Sequence, residues 1–404
     1  MKRVARPLSM LRVVPLCFAA ASACADPNDT LQLSASYNIT HDDNLFRLPK
    51  NANAAALIGR DSPADTIKST TASAFITKDY GLQHIDFRAS AVNYDYTNFS
   101  YLGFTAFNYT GRARWSLTPR IRGSISSDRQ QSLNSFGDFR NYTQRNERIA
   151  LNTRAEAVYE LDGAYQLAGA ASQLKVTTSS PVIEQRGFDL RSVDVGLRRV
   201  FSSRTEAGYR FRVGNGEFSP ASIPGVSSLP SKFDETEHEL RLYWAVTGKT
   251  NVDTRVSYLK RNYDDFNSRN YSGVVASTNV DWSVTGQINM RAGIARELTD
   301  FQSNYSSYAT GDRLTLTPSW QIQDKVTLRL RHDQVRRQFR GPIIGLPPAS
   351  MREDKLYLTR LTVEWVPRDQ ISLSAWVQQD KRDSNFSDLS YTSRVVGMLA
   401  QLTF

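Results

Sequence analysis

The side chains with the most chemistry to offer in this 404-residue sequence are arginines spaced two residues apart. Arg112 and Arg114, Arg120 and Arg122, Arg210 and Arg212, and Arg329 and Arg331 all show this spacing. On an extended strand it puts both guanidiniums on one face. A guanidinium is always charged and carries a planar fork of donors, so a row of them can hold carboxylates or other acidic groups. Following the alternation along the chain adds Arg88, Arg154, Arg191, Arg198, Arg241, Arg255, Arg291, Arg313 and Arg360 to the same wall. The acids assigned to it are fewer: Asp86, Glu156, Asp189, Asp194, Glu206, Glu239, Asp253, Glu297 and Glu364. A net positive wall around water selects anions. The plainer alternative is that many of these arginines form cross-strand ion pairs that only stabilise a polar wall.

Other chemistry is sparse. The histidines are His41, His84, His238 and His332, and none has a metal-ligand partner at a useful spacing. No Gly-x-Ser-x-Gly, His-Glu-x-x-His or glycine-rich phosphate loop occurs. His84 or His332 beside a serine and an acid would resemble a membrane lipase, but a single histidine among polar neighbours is more often part of a wall. The expectation is no catalytic residue, no metal, no cofactor and no enzyme.

The elements that position the arginines alternate at period two. Val252, Thr254, Val256 and Tyr258 oppose Asp253, Arg255, Ser257 and Arg261. Val326, Leu328 and Leu330 oppose Thr327, Arg329, Arg331 and Asp333. His238, Leu240, Leu242, Trp244 and Val246 oppose Glu239, Arg241 and Tyr243. A charge on a lipid face costs about 2–4 kcal/mol at the midplane, so the apolar set faces out and the charged set lines an interior.

Short turns and long loops alternate along the chain. The turns are Asp79-Tyr80-Gly81, Thr118-Pro119-Arg120, Leu161-Asp162-Gly163, Ser202-Ser203-Arg204, Thr247-Gly248-Lys249, Val284-Thr285-Gly286, Gln323-Asp324-Lys325 and Pro367-Arg368-Asp369. The loops are 41–64, 98–102, 131–142, 178–186, 215–232, 264–268, 302–309, 339–352 and 383–388. These links predict an all-β fold: a transmembrane antiparallel up-and-down barrel of about 18 strands. Short turns then lie in the periplasm and long loops outside. Such a barrel is wide enough for an aqueous channel.

The aromatic residues and both ends of the sequence agree with this. Trp115, Trp244, Trp282, Trp320 and Trp365 each precede a short turn, as in an inner aromatic girdle; Trp376 points inward instead. Val396, Met398, Ala400, Leu402 and Phe404 form one apolar face that ends on an aromatic. That face suits a last strand paired with a first strand near Leu31, and Phe404 resembles a signal for the barrel-assembly machinery. At the other end, Lys2, Arg3, Arg6 and Arg12 precede an apolar stretch and Ala23-Cys24-Ala25. Residues 1–25 therefore read as an export signal and 26–404 as the barrel. The two cysteines, Cys17 and Cys24, leave with that signal, so no disulfide or thiolate metal site is expected. The chain is 40% hydrophobic with 18 Tyr, 19 Phe and 6 Trp, and has no apolar run long enough for a membrane helix. The net charge of +10 falls to +6 without the four basic residues of that signal; such an excess would suit nucleic acid, but an exported chain meets none.

The first long loop carries a resemblance. Tyr37-Asn38-Ile39-Thr40-His41-Asp42-Asp43-Asn44-Leu45-Phe46-Arg47-Leu48-Pro49, then Asp65-Thr66-Ile67 and Leu82-Gln83-His84, resembles the opening of the EpsL family of outer-membrane β-barrels. That family is related to a broader β-barrel porin family. Asp43, Asn44 and Phe46 match its opening motif. The resemblance covers about residues 35–85 and implies a role in exopolysaccharide export, with extracellular polysaccharide and periplasmic export proteins as partners. It supplies no catalytic residue, and the motif's implied role is to anchor a loop. Export of an anionic polysaccharide is thus the first expectation. An uptake porin for anions or oligosaccharides is the second, with loop 41–64 as its constriction. A non-channel surface barrel or an outer-membrane enzyme is the third.

Overall fold

A computed structural model describes residues 30–138, 142–179, 187–201, 204–219, 232–264, 267–299, 308–340 and 351–404. The expected export signal, residues 1–25, lies outside the described residues, as does part of the turn at 202–204. The strands are β1 (Leu31–Asp42), β2 (Asp65–Tyr80), β3 (Gln83–Tyr96), β4 (Phe104–Thr118), β5 (Ile121–Leu133) and β6 (Glu147–Glu160). There follow β7 (Tyr165–Thr178), β8 (Phe188–Val200), β9 (Glu206–Phe218), β10 (Lys232–Thr247), β11 (Thr250–Tyr263) and β12 (Tyr271–Ser283). The rest are β13 (Ile288–Thr299), β14 (Tyr308–Gln323), β15 (Val326–Arg340), β16 (Glu353–Arg368), β17 (Ile371–Ser384) and β18 (Tyr391–Thr403). One short helix, α1 (Ala54–Ile58), lies in the first long loop, capped by the Asn53 side chain and ended by Gly59 at φ 69.

Each strand pairs antiparallel with its neighbours in sequence, and β1 also pairs with β18, so the 18-stranded sheet closes. Closure runs to the last residue: Leu33 and Phe404 exchange N–H···O bonds of 3.0 and 2.7 Å. A closed sheet leaves no unpaired edge, the condition for strands to cross a bilayer. Both described ends lie at the short-turn side.

Facing partners in a ladder share a face, so the register carries one assignment around the ring. Starting from Met398, the outer face passes through Ile39, Ala74, Ala89, Ile125, Ala155, Val195, Phe211, Val256, Ile294, Leu314, Leu330 and Val377, and returns to β18 in phase. This belt is exposed and apolar; Met398 is 70% and Leu240 63% exposed. The apolar cores are small and lie on the other face. The outer belt therefore needs lipid rather than protein to cover it.

Candidate functional site

The ladder register decides which arginines face inward. Arg88, Arg112, Arg114, Arg122, Arg154, Arg198, Arg210, Arg212, Arg241, Arg255, Arg291, Arg313, Arg329, Arg331 and Arg360 alternate with the apolar belt and lie on the inner face. Arg120 is in the turn between β4 and β5. Arg191 does not line the wall. It shares the outer face with Val193 and Val195, because its ladder partners Gln173 and Asn215 belong to that face. Asp189 is moved outward with it and pairs with Arg191 at 3.5 Å.

The inner acids are more numerous than the sequence reading assigned. Asp42, Asp65, Asp79, Asp128, Glu160, Glu235, Glu237, Asp281, Asp333, Asp354 and Asp380 also alternate onto the inner face. Along the described strands, carboxylates match guanidiniums, and the expected net positive wall is corrected to a balanced one. Pairing is dense. Arg212 meets Glu235 at 3.2 Å and Glu237 at 2.8 Å, while Arg255 meets Glu237 at 2.5 Å and also Glu239. Arg210 meets Glu239 at 2.6 Å, Arg261 meets Glu235 at 2.5 Å, and Arg154 bridges Asp194 and Glu156. Each such cross-strand pair adds roughly 0.2–1 kcal/mol to the wall.

Balance over the whole wall leaves local excess. Arg331 and Arg360 stand directly opposite each other across β15 and β16. Asp333 holds Arg331 at 2.6 Å, whereas Arg360 donates to the neutral Gln378 at 2.5 Å and lies 5.5 Å over the Trp376 ring. Across β3 and β4, Arg112 faces Asp86, but that carboxylate is taken by His84 at 2.8 Å and Arg114 at 3.1 Å. Arg88 lies 5.2 Å over the Phe75 ring. Guanidiniums held by rings or amides keep their full charge for a passing anion.

Two long loops close over one side of the mouth. The turn after β1 places the motif residues in three separate roles. Asp43 continues the β1–β18 ladder, accepting the Arg394 N–H on its side chain at 2.7 Å. Asn44 donates to the Leu48 and Thr392 carbonyls at 2.8 and 3.0 Å and accepts the Leu48 N–H at 2.8 Å. Phe46 is fully buried, its ring 4.6 Å from Phe99, 4.8 Å from Phe136 and 5.6 Å from Tyr142. This cluster packs on the inward Ile67, Tyr94 and Tyr96, so the loop folds into the barrel.

The loop between β5 and β6 reaches further. Asp138 accepts from Arg337 at 3.1 Å, Arg352 at 3.3 Å and Arg382 at 3.0 Å, and Arg382 also donates to the Gly137 carbonyl at 2.6 Å. Arg337 and Arg382 project from β15 and β17, several strands away around the ring, so the loop bridges the mouth from inside. Burial pushes the Asp138 carboxyl up, but Arg337, Arg382 and Arg352 outweigh it and hold it below the ordinary carboxylate range. Sequence reading did not single out this latch. Its only local signal is an acid in the polar loop 131–142, and its partners are more than 190 residues away.

The remaining candidates separate by face. Trp115, Trp244, Trp282, Trp320 and Trp365 lie on the outer face near the short-turn end. Trp376 faces inward and covers Gly397, where an added Cβ would come within 2.2 Å of the ring. His332 is on the outer face against Thr359 at 2.8 Å, so it lines no lumen. His84 faces inward, bonded to Asp79 at 2.5 Å and Asp86 at 2.8 Å.

The family model described as "Putative beta-barrel porin 2" matches residues 242–404. The outer membrane protein OpdK of Pseudomonas aeruginosa is 8% identical at a TM-score of 0.50, over 93% of this chain and 99% of that one. A BenF-like porin of Pseudomonas fluorescens Pf-5 gives 8% identity and a TM-score of 0.52, over 93% and 99%. This chain is a bacterial outer-membrane β-barrel. OccK2 (OpdF) of P. aeruginosa, solved in complex with glucuronate, gives 8% identity and a TM-score of 0.51 over 93% of this chain and 98% of that one. No curated protein matches the sequence. The family match falls outside residues 35–85 and names a porin, so it lends no support to the exopolysaccharide role that the EpsL-like motif implies.

Proposed function

We propose that this outer-membrane barrel is a diffusive channel for small anions, carboxylated solutes among them. The observation that carries this is Arg331 facing Arg360 across the wall, with Gln378 and Trp376 in direct contact with Arg360 and the Asp380 carboxylate held one residue further off by the Gln378 amide. Such a pair attracts an anion yet holds it weakly, as passage requires. Arg88 and Arg112 repeat the local excess on another part of the wall. The bridged mouth favours small solutes: a polymer would have to displace the Asp138 latch and the Phe46 cluster.

Planar-bilayer recording of the purified protein under a salt gradient tests this. An anion-selective reversal potential is expected, with conductance reduced by a sugar acid such as glucuronate. Cation selectivity, or no conductance, would overturn the proposal. Polysaccharide export retains the opening motif Asp43, Asn44 and Phe46 in its favour, and polysaccharide release from a deletion strain distinguishes it.

A further inference from the structure

The β12–β13 ladder stops short. It runs from Ser283/Asn289 up to Ala276/Arg296, whereas β12 continues to Tyr271 against β11 and β13 continues to Thr299 against β14. The upper part of this seam is thus a break in the ring's hydrogen bonding. On the outer face at that level lies a groove of about 620 Å³. Its floor includes Val274, Ala276, Ile294 and Leu314, and Arg296, Asp312 and Arg336 line it as well.

The charges form a row along the outer surface. Arg296 faces Asp312, Asp312 faces Arg336, and Arg336 faces Lys355. Asp312 receives Arg296 at 2.7 Å, and Arg336 meets Glu353 at 3.3 Å. Arg336 and Lys355 are like charges directly opposed on a strand pair; Glu353 meets Arg336, and Asp383 opposite Lys355 meets Lys381 at 2.9 Å, so the pair has one carboxylate for two cations and suits a further anion. Height supports such an anion. Arg296 stands about 26 Å along β13 from Ile288, which is about 20 Å of vertical rise at barrel tilt. That is near the upper edge of an apolar band about 25 Å tall, where lipid headgroups begin. A guanidinium fork there matches a phosphate, and the floor below it matches an acyl chain.

We propose that this groove binds a phosphorylated lipid of the outer leaflet, its phosphate on Arg336 and Lys355, clear of the Arg296–Asp312 pair, and an acyl chain along Val274, Ile294 and Leu314. This site is on the outer face and does not depend on the lumen being a channel.

Native mass spectrometry of the whole purified protein tests it, using a diphosphorylated acylated glucosamine disaccharide and its dephosphorylated form as probes. The phosphorylated lipid should be retained at least tenfold better. An Arg336→Gln, Lys355→Gln double variant should lose that preference while keeping the heat-modifiable mobility of a folded barrel. Equal retention of both lipids, or a double variant that binds like the parent, would overturn the proposal. A cysteine label at Ile294→Cys gives a second readout: brominated acyl chains should quench it. An unquenched label that instead forms dimers by cross-linking would mean a second copy of the chain covers the groove, and would equally overturn the proposal.

Discussion

Asp138, on the loop after β5, accepts a hydrogen bond from Arg382 of β17 at 3.0 Å, and Arg337 and Arg352 close on the same carboxylate. Three cations on one acid hold the loop across the mouth. Asp138→Asn removes the charge and keeps the shape. The variant should show larger or noisier single-channel currents, while the barrel ladder and its heat-modifiable mobility persist. Unchanged currents would mean that the latch does not restrict the pore.

The same carboxylate sets a pH dependence. Its folded pKa lies below the ordinary carboxylate value, so the tether's stabilisation is complete above about pH 3.9 and is lost as pH falls through the depressed value. Channel noise should be flat from neutral pH down to about 4 and rise only below it. The Asp138→Asn variant should lack that acid transition.

Arg331→Gln and Arg360→Gln should each shift the reversal potential toward zero, and the double variant more so. Arg191→Gln is the internal control: its side chain is on the outer face, and selectivity should not move. A shift from Arg191→Gln as large as that from Arg331→Gln would contradict the face assignment.

Gly397→Leu should impair folding, because Trp376 occupies the space over the glycine. Overpacking of this kind costs about 1–3 kcal/mol. Refolding yield into detergent should fall, and Trp376→Ala in the same chain should restore it.

Brominated lipids should quench Trp320 and Trp365 on the outer face and spare Trp376 inside. Single-tryptophan variants separate the signals. Strong quenching of Trp376 would place that side chain on the wrong face.

Much of the fold is legible in the sequence because the membrane imposes it locally. Period-two alternation, a turn at each short link and a tryptophan before several of them predict 18 strands and their phase, and Met398 to Phe404 predict closure onto β1. Each signal depends on near neighbours in the chain. Where the strands rise above the apolar band both faces are polar, and alternation fails. Alternation therefore puts Arg191 and Asp189 on the wrong face and leaves Glu235, Glu237 and Asp380 out of the wall. Charge balance in the lumen is a sum over strands far apart in sequence, so only the register decided it. The Asp138 latch is the extreme case. An acid in a polar loop carries no mark of its partners, and only closure of the ring brings Arg337, Arg352 and Arg382 to it. The sequence by itself determined a closed outer-membrane barrel with guanidiniums inside. The tertiary structure decided which of those guanidiniums are neutralised, which face each other, and how the mouth is narrowed.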